Sequence, residues 1–545
     1  MEKKKLRVAI LTRSFKVSSW KYYAVEEIIK SGIAEIAFTA KFRLQSSEVD
    51  KKWDNAFLYR SYLRLEKLKW KGSAKASVLK NIKDLFTEKQ DTVKFDLEKT
   101  EGCYQLKEDG LSRLVNARLD VIYLLDYIPL RFESANPSRF GVWYNHFGMA
   151  GCKGESLVGL WEFLKGSPFI FSGLRAFQTH PFQEQILYES KGPVNRFSIN
   201  ATGESCFWKS AGFIHRKLNE LYRKQTLSPI RHPESEMQGN NHKIPDLTDL
   251  MRVNLVFMKR YLKEKFINRF YSQKWGLQFQ FNSQETSVLN AMKPLLPPKN
   301  KFWADPFVYK NNERYYIFLE ESYTGKKKKG FISVSEINSK GVMSQPRKVI
   351  ERSYHMSYPF VFQHLGKHYM IPETNQNYTI ELYQCKEFPY HWEFVKNLKE
   401  HISAVDTTLF FHNSTWWIFT NMKEHKQASL WDELFLFYTD DPISSDWTPH
   451  PDNPIVSHVT KARPAGKIFT QNNKIFRPAQ NCSYRYGYGL SIQEITDLTP
   501  SSYKEIESIS YTPKDLKGIS GLHTFNKSDG LTIIDAVMKK KKITG

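Results

Sequence analysis

The sequence predicts two folds in succession, an α/β domain over residues 1–224 and an all-β five-bladed propeller over residues 276–535. Three observations predict this. Short β-rich runs alternate with helical ones in the first part of the chain, a polar stretch marked by proline and glycine follows, and beyond it one element recurs five times at intervals of about 50–60 residues. A chain of 545 residues exceeds one ordinary core, and a hydrophobic share of 41% with 14% aromatics supplies material for two.

In the first domain, Leu6-Arg7-Val8-Ala9-Ile10-Leu11 reads as a strand, residues 22–30 as a helix and residues 33–38 as the next strand. A helical stretch near residues 109–118 precedes another strand at 121–125. Strand–helix–strand alternation implies parallel strands with helices on both faces, and ligands in such sheets bind beyond the carboxyl ends of the strands. The apolar run 8–11 is too short for a secretory signal, and no stretch approaches the ~20 apolar residues of a spanning helix. A cytoplasmic protein is the expectation. Cys103, Cys152, Cys206, Cys385 and Cys482 lie far apart, so neither a disulfide framework nor a metal site is expected.

Residues 225–275 form a linker, with Pro229, Pro233, Gly239, Asn240 and Asn241, followed by a helix over about residues 245–270. Its Leu250, Val253, Phe257, Tyr261 and Phe266 alternate with Arg252, Lys259, Arg260, Lys263 and Lys265. Such a helix either packs its apolar face on a neighbouring domain or makes a peripheral contact with an anionic membrane. The net charge of +23 suits an acidic partner or a solvated lysine-rich surface. Lysines cluster at residues 3–5, at a hairpin tip at 326–329, and in an expected basic tail at 536–545. No recognition helix or RNA-binding signature accompanies the charge, which argues against nucleic acid.

The repeat carries most of the information. Asp305-Pro306-Phe307-Val308 leads through a polar turn to Tyr315-Tyr316-Ile317-Phe318-Leu319-Glu320. Tyr358-Pro359-Phe360 leads likewise to Tyr369-Met370-Ile371-Pro372-Glu373, and Asp406-Thr407-Thr408 to Trp416-Trp417-Ile418. Arg463-Pro464 leads to Lys474-Ile475-Phe476-Arg477, and His523-Thr524-Phe525 to Leu531-Thr532-Ile533-Ile534-Asp535. Five hairpins at this period imply five blades. Equivalent residues of the inner strands face one another around the axis, which places Asp305, Tyr358, Asp406, Arg463 and His523 in a ring with His355 just ahead of the second. At the strand ends Glu320 matches Glu373, with Glu321 adjacent.

Carboxylates gathered in one cavity divide acid and base roles, because repulsion and burial separate their pKa values. Cleavage of a glycosidic bond requires one protonated and one ionised carboxyl group on opposite sides of the acetal carbon. Asp305, Glu373, Asp406 and Glu321 are therefore the candidate catalytic residues, and His355, Arg463, Arg477 and His523 the candidate substrate-binding residues. The two arginines could hold an acidic sugar or a phosphate.

The second half resembles the N-terminal propeller domain of glucosamine inositolphosphorylceramide transferases. The resemblance rests on Phe302-Trp303-Ala304-Asp305-Pro306-Phe307, Tyr354-His355-Met356-Ser357-Tyr358-Pro359, Met370-Ile371-Pro372-Glu373-Thr374, Val405-Asp406-Thr407-Thr408, Ala462-Arg463-Pro464-Ala465-Gly466, Arg477-Pro478-Ala479-Gln480 and His523-Thr524. It implies a glycan-directed role. The fold implied is similar to the propellers of β-furanosidase-type glycoside hydrolases, in which a first-blade Asp is catalytic; Asp305 stands there.

The first domain resembles a formyltransferase, a Rossmann-type fold, through Leu6-Arg7-Val8-Ala9-Ile10-Leu11-Thr12, Leu119-Asp120-Val121-Ile122, Phe140-Gly141-Val142-Trp143-Tyr144-Asn145-His146 and Gly159-Leu160-Trp161-Glu162. This implies formyl-tetrahydrofolate as cofactor and Asn145 with His146 as the site. The sequence departs from the family where an Asp is required: Phe182 takes its place, with Glu184 two residues late and His180 two early. Formyl transfer is expected to be impaired or absent.

Three readings stay open. The first is a carbohydrate-active enzyme of surface-glycan or glycolipid biosynthesis, transferring or hydrolysing a glycosyl group, with a sugar, glycolipid or nucleotide sugar as partner. The second is a sugar N-formyltransferase, and the third a non-catalytic glycan-binding scaffold.

Overall fold

Val8 and Ile10 point into one hydrophobic cluster and Ala9 and Leu11 into another, so the strand Leu6–Thr12 is buried on both faces, as the centre of a helix-covered sheet must be. The computed structural model describes residues 3–44, 57–69, 76–86, 92–100, 103–132, 136–148, 155–179, 183–230, 245–281, 289, 292–325 and 329–542. It divides into two compact units, Met1–Tyr261 and Leu262–Gly545. Cys152, His180, Phe182, the linker residues Pro233, Gly239, Asn240 and Asn241, and Lys326 to Lys328 lie outside the described residues.

In the first unit Leu6–Thr12 pairs in parallel with Ala34–Leu44 on one side and Val121–Leu124 on the other, and Val142–Phe147 and Thr92–Thr100 extend the parallel centre. The margins differ from the all-parallel expectation. Phe169–Phe177 runs antiparallel to both Val142–Phe147 and Gln185–Pro193, and Thr92–Thr100 runs antiparallel to Cys103–Leu106. Gln185–Pro193 and Cys103–Leu106 each follow their partner after a short connection, which leaves no room for the crossover a parallel pair needs. The result is a nine-stranded mixed sheet.

The helix expected after the linker spans Leu247–Phe270. Leu250 and Val253 are buried with Tyr59, Leu157, Leu160, Phe163 and Ile199 of the first unit, and Arg260 donates to the carbonyls of Phe163 and Arg196. Met251, Leu255, Met258, Leu262 and Phe266 are exposed on this helix, so the apolar residues do not all share the packed face.

The second unit holds four four-stranded sheets and one five-stranded sheet. Blade one comprises Lys301–Asn311, Arg314–Tyr323, Phe331–Ile337 and Arg347–Ile350; blade two Ser357–His364, Lys367–Thr374, Thr379–Glu387 and His391–Glu400. Blade three comprises Ala404–His412, Thr415–Met422, Leu434–Thr439 and Thr448–Pro449; blade four Phe469–Gln471, Lys474–Asn481, Gly489–Thr499 and Ser502–Tyr511. The fifth is assembled from both ends of the unit: Tyr271–Phe281 pairs antiparallel with Leu531–Lys541 from Tyr271↔Lys541 to Phe281↔Leu531. Residues 536–541, expected as a basic tail, are therefore strand, and so are residues 271–275, expected as linker. A ring of blades has two free edges unless one sheet joins its beginning to its end, and this pairing supplies that closure.

Candidate functional site

The first three blades break their innermost strands at one equivalent point. The ladder register shifts between Ala304 and Phe307, between Ser357 and Phe360, and between Val405 and Thr408. Within each break one residue adopts a left-handed backbone: Asp305 at φ 47°, Tyr358 at 45° and Asp406 at 54°. A non-glycine residue held there costs about 1 kcal/mol or more, and such strain persists only where surrounding bonds over-determine it. Here they do. The Asp305 N–H donates to Asp535 Oδ2 at 3.0 Å, and the Tyr358 N–H donates to Asp305 Oδ2 at 3.3 Å, so carboxylates bind backbone of neighbouring blades. Tyr358 is 0% exposed; its hydroxyl reaches Thr408 Oγ1 of blade three at 2.8 Å and accepts from the Gly466 N–H at 2.7 Å. Of the ring positions, Tyr358 thus serves as structural filling.

Two ionic clusters occupy the centre. In one, His523 Nδ1 lies 2.5 Å from Asp535 Oδ2 and its Nε2 3.8 Å from Asp305 Oδ1, while Thr524 Oγ1 donates to Asp305 Oδ1 at 2.7 Å. Asp535 Oδ1 also accepts the N–H groups of His523 and Thr524. Burial alone would depress the His523 imidazolium, but Asp535 and Asp305 raise it to about 9. Burial lifts the Asp305 carboxyl to about 6, opposed by His523 and reinforced by Asp535 and Asp406.

In the other, Asp406 takes a fork from Arg463, Nε to Oδ2 at 2.6 Å and Nη2 to Oδ1 at 3.3 Å, plus Gln480 Nε2 at 2.9 Å. Arg463 Nη2 lies 3.7 Å from Glu373 Oε2, and Ser357 Oγ donates to the same oxygen at 3.3 Å. Burial, then the neighbouring Asp406, push Glu373 up to about 8. Glu373 is therefore protonated at neutral pH, in hydrogen-bonding reach of Asp406. Glu320 is raised well above the usual carboxyl range by burial and then by Asp305 and Glu373. His355 Nε2 lies 3.6 Å from it while Nδ1 accepts the Gly330 N–H at 2.9 Å, so the proton of neutral His355 faces Glu320.

These shifts set a stability trend. Both Glu373 and His523 have folded pKa values above their unfolded ones, so each stabilises fully at low pH and loses its contribution as pH rises through about 8 and about 9 respectively. The apparent Tm of the propeller is expected to fall between pH 6.5 and 9. A His523→Gln variant should be less stable at pH 6.5 and show a flatter decline over that window in differential scanning calorimetry.

The structure brings Asp305, Glu373, Asp406, Arg463, His523 and His355 together. Glu321 does not join them. It is 1% exposed, bonded to Ser333 Oγ at 2.9 Å and to Lys301, because neighbouring residues of a strand face opposite sides and Glu320 holds the inward place. Arg477, also 1% exposed, is locked to Glu505 of its own blade at 2.8–2.9 Å and to the carbonyls of Lys461 and Ala462 in the segment that leads into it. It is a packing ion pair with no reach for substrate. Sequence reasoning missed Asp535 and Gln480. Asp535 ends the fifth repeat as Glu373 ends the second, and that equivalence was the available signal.

Among the described residues, Asp305, His523 and Asp535 are the group whose atoms converge closely enough to hold a metal ion. They are engaged with one another: the imidazolium bridges the two carboxylates, so a cation would have to displace its proton. In the first unit Asn145 and His146 are separated by strand alternation. Asn145 accepts from the Tyr123 hydroxyl at 2.6 Å and donates to the Ser210 carbonyl at 3.0 Å, whereas His146 lines a small cavity with Arg175, Tyr188 and Glu189 on the other face. Glu184 is paired with Arg175 at 2.8 Å. Asn145 and His146 on opposite faces do not fit joint action on one formyl group of a folate.

A family model described as glucosamine inositolphosphorylceramide transferase 1, N-terminal, matches residues 291–528, inside the propeller unit. The curated glucosamine inositolphosphorylceramide transferase 1 of Oryza sativa subsp. japonica is 31% identical over 212 residues, 38% of this chain and 28% of the relative. That of Arabidopsis thaliana is 30% identical over 213 residues, 38% of this chain and 27% of the relative. The alignments thus span under a third of those relatives. Among solved structures, an α-L-arabinofuranosidase from Lactobacillus brevis aligns with TM-score 0.33 and 14% identity, over 45% of this chain and 86% of that one. A family 117 glycoside hydrolase from Zobellia galactanivorans aligns with TM-score 0.32 and 9% identity, over 48% and 90%. The propeller resembles the N-terminal part of the plant transferases.

Proposed function

We propose, from the premise that this propeller resembles the N-terminal part of transferases named for a glucosamine-bearing glycolipid, that its centre makes or breaks a glycosidic bond. One observation carries the reading: a protonated Glu373 and an Asp305 with pKa about 6 sit in one buried centre, each held in its state by named partners. Glu373 donates its proton to the leaving-group oxygen as the anomeric C–O bond breaks. Asp305 takes the proton of the incoming hydroxyl, water or an acceptor sugar, as the new C–O bond forms. Asp406, pinned by Arg463 and Gln480, keeps Glu373 protonated and its proton directed.

The substrate class proposed is a sugar or glycolipid of surface-glycan biosynthesis, with a nucleotide sugar or glycoside as donor. The test is turnover of a panel of nucleotide sugars and aryl glycosides as a function of pH. A bell is expected, rising through about 6 as Asp305 ionises and falling through about 8 as Glu373 loses its proton. Saccharide binding with no turnover at any pH would replace this reading with a glycan-binding scaffold.

A further inference from the structure

Three aromatic side chains from three different blades gather around His523 and Arg463. Tyr486 lies in the connection between Lys474–Asn481 and Gly489–Thr499, and it is 36% exposed although its ring borders the centre. Its ring lies 4.8 Å from the Arg463 guanidinium and 5.1 Å from the His523 ring at 82°. Trp431, from the connection between the second and third strands of blade three, lies 6.4 Å from Tyr486. Trp275, on the closing strand, lies 4.4 Å from His523. Tyr486 is exposed and Trp431 and Trp275 are partly buried, so each keeps some ring surface open to a ligand.

The connection carrying Tyr486 is pinned on both sides. Arg485 donates to the Ser520 carbonyl, and Gly487, at φ 62°, passes so close to Trp275 that a Cβ there would meet the indole at 2.9 Å. Such rigidity suits a binding surface, since little is left to order when a ligand arrives. The charges beneath narrow the ligand. Arg463 is committed to Asp406 and Glu373, His523 to Asp535 and Asp305, and Arg477 to Glu505. An anionic ring entering here would meet Asp305, Asp406 and Asp535 with each of these cations already paired.

We infer that Tyr486, Trp431 and Trp275 form a stacking platform for the apolar face of a sugar ring that carries no negative charge, seated over Asp305 and Glu373. This rests on the glycosidic reading of the centre and names the substrate class for it. Aromatic faces bury the C–H face of a saccharide while the carboxyl groups below accept its hydroxyls. A phosphate or diphosphate of a donor lies outside the ring of carboxylates.

The test uses the full chain and methyl glycosides of glucose, galactose, mannose, xylose and arabinose, with the corresponding glucuronide and galacturonide, followed by tryptophan fluorescence and saturation-transfer NMR. At least one neutral glycoside should bind and perturb the fluorescence. Tyr486→Ala should weaken it about tenfold, Trp431→Ala should weaken it as well, and Tyr486→Phe should stay within about twofold, since stacking needs the ring and not the hydroxyl. The uronide of the same configuration should bind at least about tenfold more weakly. Equal binding of the uronide, or unchanged binding in both Tyr486→Ala and Trp431→Ala, overturns the platform. If those variants bind normally while Asp305→Asn abolishes turnover, the platform is wrong and the glycosidic reading stands. If the wild-type chain binds none of the panel, the platform is wrong, and the glycosidic reading stands or falls on the turnover of nucleotide sugars and aryl glycosides.

Discussion

Replacing Glu373 by Gln is expected to lower kcat by about 10²–10⁴-fold with little change in fold. The loss follows from chemistry: an amide cannot give its proton to a departing alkoxide. The fold survives because glutamine matches the protonated acid that occupies this position at neutral pH, and it can still accept from Ser357 and face Asp406. A merely structural role for Glu373 would leave turnover close to wild type in this variant. The pH profile adds a second signature. The fall through about 8 that Glu373 imposes should vanish from the residual activity, while the rise through about 6 set by Asp305 remains. Donors with a good leaving group, such as nitrophenyl glycosides, should recover much of the loss, because they depart without protonation. If Glu373→Gln retained full activity on poor leaving groups, the acid would have to be sought at Glu320, whose carboxyl burial and the neighbouring Asp305 and Glu373 also raise well above the usual carboxyl range.

Arg463→Met is expected to destabilise the propeller by about 3–5 kcal/mol, read as a lower midpoint in urea unfolding. The guanidinium is buried, holds Asp406 through a fork and stands 3.7 Å from Glu373. Without it Asp406 is a buried carboxylate left with only the neutral partners Gln480 and Glu373, and charges stranded in this way are far more costly than the intact pair is stabilising. The double variant Arg463→Met with Asp406→Asn should recover a substantial part of the loss, because it removes the stranded charge. No recovery in the double variant would mean that Arg463 acts through packing against Tyr486 rather than through Asp406.

The repeat made much of this site readable in advance. Asp305, Asp406, Arg463 and His523 open their repeats at equivalent places, so one period of about 50–60 residues was enough to aim them at one axis. Glu321 shows the limit of that reading. The choice between Glu320 and Glu321 turns on strand alternation, and two adjacent glutamates leave it open until the pairing of Trp303 with Glu321 and Ala304 with Glu320 is known. Arg477 sits beside the recurring motif yet belongs to a blade-internal pair, because its partner Glu505 comes from a strand the repeat does not include. Residues 536–541 looked like a charged tail, and their lysines concealed a strand whose partner lies at the far end of the unit.

Sequence alone determined the five-fold repeat and the equivalence of Asp305, Tyr358, Asp406, Arg463 and His523, because periodicity states which residues correspond. Only the tertiary structure decided which carboxyl pKa values are raised, which cations are already paired, and that Tyr486 and Trp275 both pack on His523, with Trp431 beside Tyr486. Those properties depend on distances of a few ångströms between residues of different blades, and Coulomb energy and desolvation vary steeply over that range.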